Sequence, residues 1–208
     1  MASRIKTCLA ILLTGLSFLS SSLHAATRTV CSSGCDDTTI ANAISNAVDG
    51  DTIQLKANET ETTSLTIATS KALTFISDST VRTITNGGSN PTIIINTSQT
   101  KSVTFKNLIV SNVNDKSTFN LAFASNVAVT ISNCTVKTSL ILTNDNEGAF
   151  AVQSAPAAGS SLNINNTEVF GLGNTSNGGE GYTDKSVTMI ANFLNINNCI
   201  FQIGRAHV

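Results

Sequence analysis

The stretch Val129-Thr-Ile-Ser-Asn133 decides the fold, because its pattern of apolar, polar, apolar, polar and asparagine recurs along the chain. The gap-free copies are Val103-Thr-Phe-Lys-Asn107, Val129-Thr-Ile-Ser-Asn133, Leu162-Asn-Ile-Asn-Asn166 and Leu194-Asn-Ile-Asn-Asn198. Their asparagines are separated by 26, 33 and 32 residues. A period of two residues is typical of β-strands with one buried face.

Two further features indicate how these strands assemble. A degenerate copy, Leu73-Thr-Phe-Ile-Ser77, lies 30 residues before Asn107, and a second short apolar stretch precedes each full copy. These second stretches are Ile93–Ile95, residues 121–123, Phe150–Val152 and residues 187–189. One repeat is too short to bury its own apolar face, so the copies are predicted to stack as coils of a solenoid, with parallel strands about 4.8 Å apart. Differences in repeat length are expected to be taken up by loops such as residues 172–184.

The repeated asparagines are predicted to form a structural ladder at the coil corners, where each amide bonds its own backbone and the asparagine of the next coil. The ladder residues are Asn107, Asn133, Asn166 and Asn198. Glycosylation is the alternative for five asparagines in Asn-x-Ser/Thr tripeptides: Asn58, Asn96, Asn133, Asn165 and Asn174. The structural interpretation is favoured, because a glycan is not expected to fit at the ladder residue Asn133.

The first 26 residues have the features of a signal peptide. Arg4 and Lys6 precede an apolar run over residues 9–19, and small residues lead to Ala25-Ala26. The apolar run is about half of the roughly 20 residues that span a bilayer. The sequence therefore predicts a secreted or cell-surface protein with no transmembrane segment in its mature part.

Export to an oxidising compartment makes the cysteines informative. Cys31 and Cys35 enclose a tight loop and are predicted to form a disulfide, with a metal site as the alternative. Cys134 and Cys199 each follow a ladder asparagine, with Thr167 at the same position in the coil between them. Two coil steps separate their Cα atoms by about 9.6 Å, and a disulfide needs less than about 7 Å. Both are therefore predicted to be unpaired.

A short amphipathic helix is predicted after the cysteine pair. Thr38 or Thr39 can cap it, and its apolar face consists of Ile40, Ala43, Ile44, Ala47 and Val48. The turn Asp49-Gly-Asp51 ends the helix, and Thr52–Leu55 is predicted as the strand that follows. Such a helix can cover the open end of a solenoid, where unpaired strand edges would recruit other chains.

The stretch Val30-Cys-Ser-Ser-Gly-Cys-Asp-Asp-Thr-Thr-Ile-Ala-Asn-Ala-Ile-Ser-Asn-Ala-Val-Asp-Gly-Asp-Thr-Ile-Gln-Leu55 resembles the capping segment of the pectate-lyase-like superfamily of secreted proteins. In that pattern a cysteine pair precedes the helix, and a Gly-Asp-Thr-Ile turn leads into the first strand. The resemblance implies an all-β, right-handed parallel β-helix with a short N-terminal capping helix, with the cap at residues 27–56 and coils at residues 57–202.

This sequence departs from the family pattern at two places. Asp37 stands where the pattern often has an aromatic residue, and Ala57-Asn-Glu-Thr-Glu61 replaces its Gly-Thr-Tyr turn. Polymorphic outer-membrane adhesins are a further similar group, although their Phe-x-x-Asn motif occurs here only at Phe123 to Asn126.

The last six residues, Ile203-Gly-Arg-Ala-His-Val208, are a translation of ATC GGA AGA GCA CAC GTC, a sequence used in sequencing-library adapters. We therefore expect residues 203–208 to be adapter read-through and the fold to be C-terminally truncated, with further coils in the full gene.

Composition and histidine placement narrow the possible chemistry. The net charge is −1 and only 12% of residues are charged, so no nucleic-acid partner is expected. His24 lies in the signal peptide and His207 in the suspect tail, which excludes a Ser-His-Asp triad and histidine-ligated metals from the rest of the chain. No catalytic residue, metal ligand or cofactor is predicted.

The enzymes of the resembled fold cleave polysaccharides. Hydrolysis needs two carboxylates that flank the glycosidic bond, and lyase chemistry needs acidic calcium ligands beside a basic residue. Arg82 is the only plausible arginine base, with no carboxylate expected near it, and Asn144-Asp-Asn-Glu147 is interpreted as a polar loop rather than a calcium site. The sequence favours a scaffold, adhesin or autotransporter-passenger-like module that binds extracellular carbohydrate or host-cell-surface ligands. The alternative is the N-terminal fragment of a polysaccharide lyase or glycoside hydrolase, with its active site in the missing coils.

Overall fold

The computed structural model describes residues 25–68, 70–95, 101–114, 116–123, 126–138, 148–152, 156–171, 182–184 and 193–203. Within these ranges the chain forms one short helix and three parallel sheets. The helix, α1, covers Ile40–Asn46.

Sheet 1 has seven strands: β1 (Thr27–Val30), β2 (Thr52–Leu55), β5 (Leu73–Ser77), β8 (Val103–Lys106), β11 (Ala128–Ser132), β14 (Ser161–Asn165) and β17 (Leu194–Asn197). Sheet 2 has six: β3 (Glu59–Glu61), β6 (Arg82–Asn86), β9 (Leu108–Asn112), β12 (Thr135–Thr138), β15 (Glu168–Gly171) and β18 (Ile200–Ile203). Sheet 3 has five: β4 (Leu65–Ile67), β7 (Ile93–Ile95), β10 (Phe119–Leu121), β13 (Phe150–Val152) and β16 (Tyr182–Asp184).

From β2 onward the chain passes through sheet 1, sheet 2 and sheet 3 in the same order in every coil. Each strand pairs in parallel with the equivalent strand of the next coil. In sheet 1 the register aligns Leu73, Val103, Val129, Leu162 and Leu194. The described residues therefore confirm an all-β parallel solenoid, and they confirm the register that the repeats predicted.

Apolar side chains from all three sheets fill the interior. In sheet 1, Phe105 is fully buried and stacks on Phe75 of the preceding coil, with ring centroids 4.9 Å apart. Phe105 also meets Phe119 of sheet 3 edge-on at 5.2 Å, and Phe119 stacks on Phe150 at the same distance. Each such aromatic pair adds about 0.5–1.5 kcal/mol beyond the burial of its area. The rings thus join sheet 1 to sheet 3 across several coils.

Two strand positions of sheet 3 differ from the prediction. The strand predicted at residues 121–123 is β10, which begins two residues earlier. The alternation of apolar and polar residues does not distinguish these positions, because it is unchanged by a shift of two residues. The predicted stretch 187–189 lies outside the described residues. The strand that pairs with β13 is instead β16, which lies within the segment predicted as a loop.

The ladder asparagines turn the chain from sheet 1 into sheet 2. Asn107, Asn133, Asn166 and Asn198 have φ values of 56°, 51°, 47° and 51°. This left-handed conformation is unfavourable for most residues and is tolerated by asparagine. The predicted amide ladder is present between Asn198 and Asn166, where Nδ2 donates to Oδ1 at 2.7 Å. Asn133 is exposed, which removes the steric reason for excluding a glycan there.

Candidate binding surface

The N-terminal helix forms as the sequence predicts. Thr39, rather than Thr38, caps it by accepting a hydrogen bond from the backbone N–H of Asn42 at 3.1 Å. Ile40 and Ala43 are fully buried, and α1 packs against β1, β2 and β4. At the other end of the helix, the Lys71 ammonium donates to the carbonyl of Ser45 at 3.0 Å, where a cation also complements the helix dipole.

Cys31 and Cys35 are joined by a disulfide with a Cα–Cα distance of 5.6 Å. The loop that they close is followed by Asp36, whose Oδ2 accepts hydrogen bonds from both the backbone N–H and the hydroxyl of Thr29 at 2.8 Å. These hydrogen bonds lower the pKa of Asp36. The disulfide loop therefore fixes a carboxylate against the outer edge of β1.

Asp37, the departure from the family pattern, is a buried carboxylate with two partners. Its Oδ2 pairs with Nε of Arg28 at 2.9 Å, and its Oδ1 accepts from Nδ2 of Asn46 at 2.8 Å. The hydrogen bond from Arg28 holds the pKa of Asp37 below its usual value. Since a buried charge is tolerated only when it is paired, this contact ties β1 to the last residue of α1.

The turn between α1 and β2 uses its carboxylates in the same structural way. Asp51 is 2% exposed and accepts backbone N–H bonds from Ala26 at 2.7 Å and from Val48 at 2.8 Å. Asp49 accepts from the N–H of Ala72 at 2.7 Å, and this bond lowers its pKa. Both carboxylates are committed to holding the backbone.

The expectation that no carboxylate lies near Arg82 is wrong. The carboxylate of Asp78, four residues earlier, accepts hydrogen bonds from Nε of Arg82 at 2.9 Å and from Nη2 of Arg82 at 2.8 Å. The arginine lowers the pKa of Asp78 to about 2, and the same contact raises the pKa of Arg82. A general base must be deprotonated before it can accept a proton. The ion pair favours the protonated form of Arg82, so Arg82 is a worse candidate for the base of a lyase than the sequence alone indicates.

Glu59 and Glu61 are half-buried carboxylates on β3, the strand at the end of sheet 2. Their register partners Ile84 and Asn86 are both 0% exposed, so the two glutamates lie on the inward side of the first coil. Burial raises the pKa of Glu61, and burial together with the charge of Glu61 raises the pKa of Glu59. Glycoside hydrolysis needs carboxylates on opposite sides of a bond, whereas these two project side by side from one strand.

Metal ligands are not grouped in the part of the chain that the structure describes: no three histidine, cysteine or acidic residues there could share an ion. The polar loop Asn144 to Glu147 lies outside the described residues. Among the described residues, no helix is long and apolar enough to cross a membrane.

The outer face of sheet 1 carries two columns of side chains that run along the solenoid. The first column is Thr27, Thr52, Thr74, Thr104, Thr130, Asn163 and Asn195, and the second is Thr29, Gln54, Ile76, Lys106, Ser132, Asn165 and Asn197. All fourteen are exposed or half-buried. Neighbours within a column are about 4.8 Å apart, so the face presents hydroxyl and amide groups at a regular spacing, interrupted in the second column by one aliphatic residue, Ile76, and one cation, Lys106.

Sequence reasoning did not identify this face. The signal was available, because Thr104 and Thr130 both occupy the second position of the aligned repeats and therefore point away from the buried first and third positions.

A second feature that sequence reasoning did not identify is a pair of buried amides, Asn86 and Asn112, which are both 0% exposed. Both end strands of sheet 2, and their Oδ1 atoms accept backbone N–H bonds from the turns that follow, at 2.6 Å from Gly88 and 2.8 Å from Asn114.

Comparison with known proteins gives no relative for this chain: no family model, no curated protein and no solved structure matches it.

Proposed function

We propose that this protein is a secreted or cell-surface module of the pectate-lyase-like, right-handed parallel β-helix type, and that it acts as a scaffold or adhesin. The outer face of sheet 1 is the proposed binding surface for extracellular carbohydrate or cell-surface ligands. The observation that carries the proposal is the pair of accessible columns, polar at every position except Ile76, which continue without a buried position across seven strands.

Three features support the rest of the proposal. Parallel strands of one sheet are joined by right-handed connections in about 98% of cases, which favours the right-handed form. The Cys31–Cys35 disulfide is typical of an oxidising, extracytoplasmic compartment. The carboxylates of the cap and the Arg82–Asp78 pair have structural partners, which favours binding over polysaccharide cleavage.

The proposal is tested by introducing bulk and charge at the centre of the surface. The double variant Thr104→Arg and Thr130→Arg changes two neighbouring members of the first column. As a control, Thr135→Arg makes the same substitution on the outer side of sheet 2, beside the exposed Glu168. Retention is measured on immobilised pectin, cellulose, chitin and alginate, and on fixed bacterial and epithelial cells.

We expect the wild-type chain and Thr135→Arg to be retained on at least one of these surfaces and the double variant to be lost from it. Equal retention of all three would move binding away from sheet 1, and retention on none would contradict the proposal. Release of unsaturated uronides from polygalacturonate with calcium would favour the lyase alternative instead.

A further inference from the structure

At the N-terminal end of the solenoid, each of the three sheets ends in an edge strand. The edge strands there are β1 in sheet 1, β3 in sheet 2 and β4 in sheet 3. An edge strand has a row of unpaired N–H and C=O groups that can pair with a strand of any other chain. A second copy of a solenoid can extend more than one sheet at once, because its strands have the same spacing.

The edge of sheet 1 is occupied by the loop that follows the disulfide. The N–H of Thr29 donates to the carboxylate of Asp36 at 2.8 Å, and the carbonyl of Thr29 accepts from the N–H of Asp37 at 3.0 Å. Further along the same edge, the N–H of Cys31 donates to the carbonyl of Asp37 at 3.2 Å. Asp36 thus supplies the acceptor that a neighbouring strand would otherwise supply.

The edges of sheet 3 and sheet 2 are protected in different ways. Helix α1 packs against β4, the edge strand of sheet 3. In sheet 2, Glu59 and Glu61 of β3 occupy inward positions whose counterparts in the next coil are fully buried. A strand that paired with β3 would bury both carboxylates, and an unpaired buried charge is strongly unfavourable.

We propose that Asp36, Glu59 and Glu61 protect the edges of sheet 1 and sheet 2, and that without them a second copy of this chain pairs with the N-terminal end. The glutamates act against the incoming strand through their charge, whereas Asp36 acts by satisfying an N–H group that would bond to it. This role is independent of what the outer face of sheet 1 binds.

The first test removes the charges of β3. The double variant Glu59→Gln and Glu61→Gln keeps the size of both side chains, and Glu168→Gln removes a carboxylate from the exposed side of β15 as a control. Sedimentation velocity at pH 7 over a concentration series measures self-association, and circular dichroism checks that each variant is folded. We expect the double variant to associate with a dissociation constant at least about tenfold lower than that of the wild type, while Glu168→Gln behaves as the wild type does.

Two further variants separate charge from shape and test the second edge. Glu59→Lys with Glu61→Lys restores charge of the opposite sign, so we expect it to associate no more than the wild type. Asp36→Ala frees the N–H of Thr29 at the edge of sheet 1, while the backbone bonds of Thr29 and Cys31 to Asp37 remain. We therefore expect it to associate more weakly than the glutamine variant but more strongly than Ser33→Ala in the same exposed loop. Asp36→Ala also tests the proposal if the glutamine variant does not fold.

The proposal is wrong if the glutamine variant sediments like Glu168→Gln, or if the lysine variant associates as strongly as the glutamine variant. If Asp36→Ala remains as monomeric as Ser33→Ala, Asp36 does not protect the edge of sheet 1.

Discussion

Replacing Asn133 by alanine and, separately, by glycine distinguishes backbone conformation from side-chain bonding at the coil corners. Asn133 has φ of 51° and an exposed side chain, and its backbone N–H donates to the carbonyl of Asn165 at 3.0 Å. The left-handed conformation costs a residue with a Cβ about 1–2 kcal/mol, and asparagine tolerates it better than alanine does. We expect Asn133→Ala to lower the free energy of unfolding by about 1 kcal/mol, which lowers Tm by about 2–4 °C in a chain of this size.

Asn133→Gly removes the same amide but has no Cβ to strain. Glycine costs about 0.5–1 kcal/mol through the entropy of the unfolded chain, which largely offsets the relief, so this variant should remain within about 0.5 kcal/mol of the wild type. Urea denaturation followed by circular dichroism measures both variants, and calorimetry gives Tm. A loss with glycine as large as that with alanine would refute the backbone argument and locate the stability in the amide ladder.

Two other substitution series test the buried amides and the buried acids. Asn112 is fully buried and donates through Nδ2 to the carbonyl of Asn90 at 2.8 Å. Asn112→Ala should therefore lower the free energy of unfolding by about 3 kcal/mol and Tm by about 10 °C. The control Asn120→Ala should lower the free energy of unfolding by less than about 1 kcal/mol in the same urea titration. For the acids, the folded-state pKa values of Glu59 and Glu61 are raised above 4.5, so their protonated forms are favoured in the fold and stability should fall as pH rises from 4.5 through those raised values. A Tm series from pH 4.5 to pH 7 should show that decline in the wild type and a flatter profile in the variant with glutamine at both positions; an equal decline in both would refute the assignment.

The register of sheet 1 from β8 onward could be predicted from the sequence because asparagine marked the same corner in four successive coils. Asparagine is one of the few residues that tolerates the left-handed conformation, so Asn107 and its equivalents carried both the turn and the alignment. Sheet 3 was harder to locate, since alternation with a period of two is unchanged by a shift of two residues, and β10 was placed two residues late. Sheet 2 was not recognised at all, because its first strand begins with Glu59 and carries charged residues at inward positions.

The charged contacts could not be predicted, for reasons that also depend on register. Asp37 and Arg28 are nine residues apart, and only the parallel path of β1 and the return of the disulfide loop bring them to 2.9 Å. The ion pair between Asp78 and Arg82 has a spacing that sequence reasoning could have used, but i,i+4 contacts are expected on helices, and this pair instead links the end of β5 to the start of β6. Thr104 and Thr130 indicate the outer face only through the alignment of the repeats, since a single threonine on an exposed strand face is common.

Two cysteines outside the disulfide, Cys134 and Cys199, show how the same register limits the chemistry of the described residues. Cys134 is buried and Cys199 is half-buried, and both are free thiols as predicted. Thr167 occupies the position between them: its hydroxyl accepts from the N–H of Cys134 at 3.3 Å and donates to the carbonyl of Asn165 at 2.8 Å. Because Thr167 fixes a full coil between the two thiols, their Cα atoms are about 9.6 Å apart, beyond the roughly 7 Å that a disulfide allows. Burial also raises the pKa of Cys134, which favours the protonated, less reactive thiol, so oxidation of Cys134 is expected only when its coil unfolds.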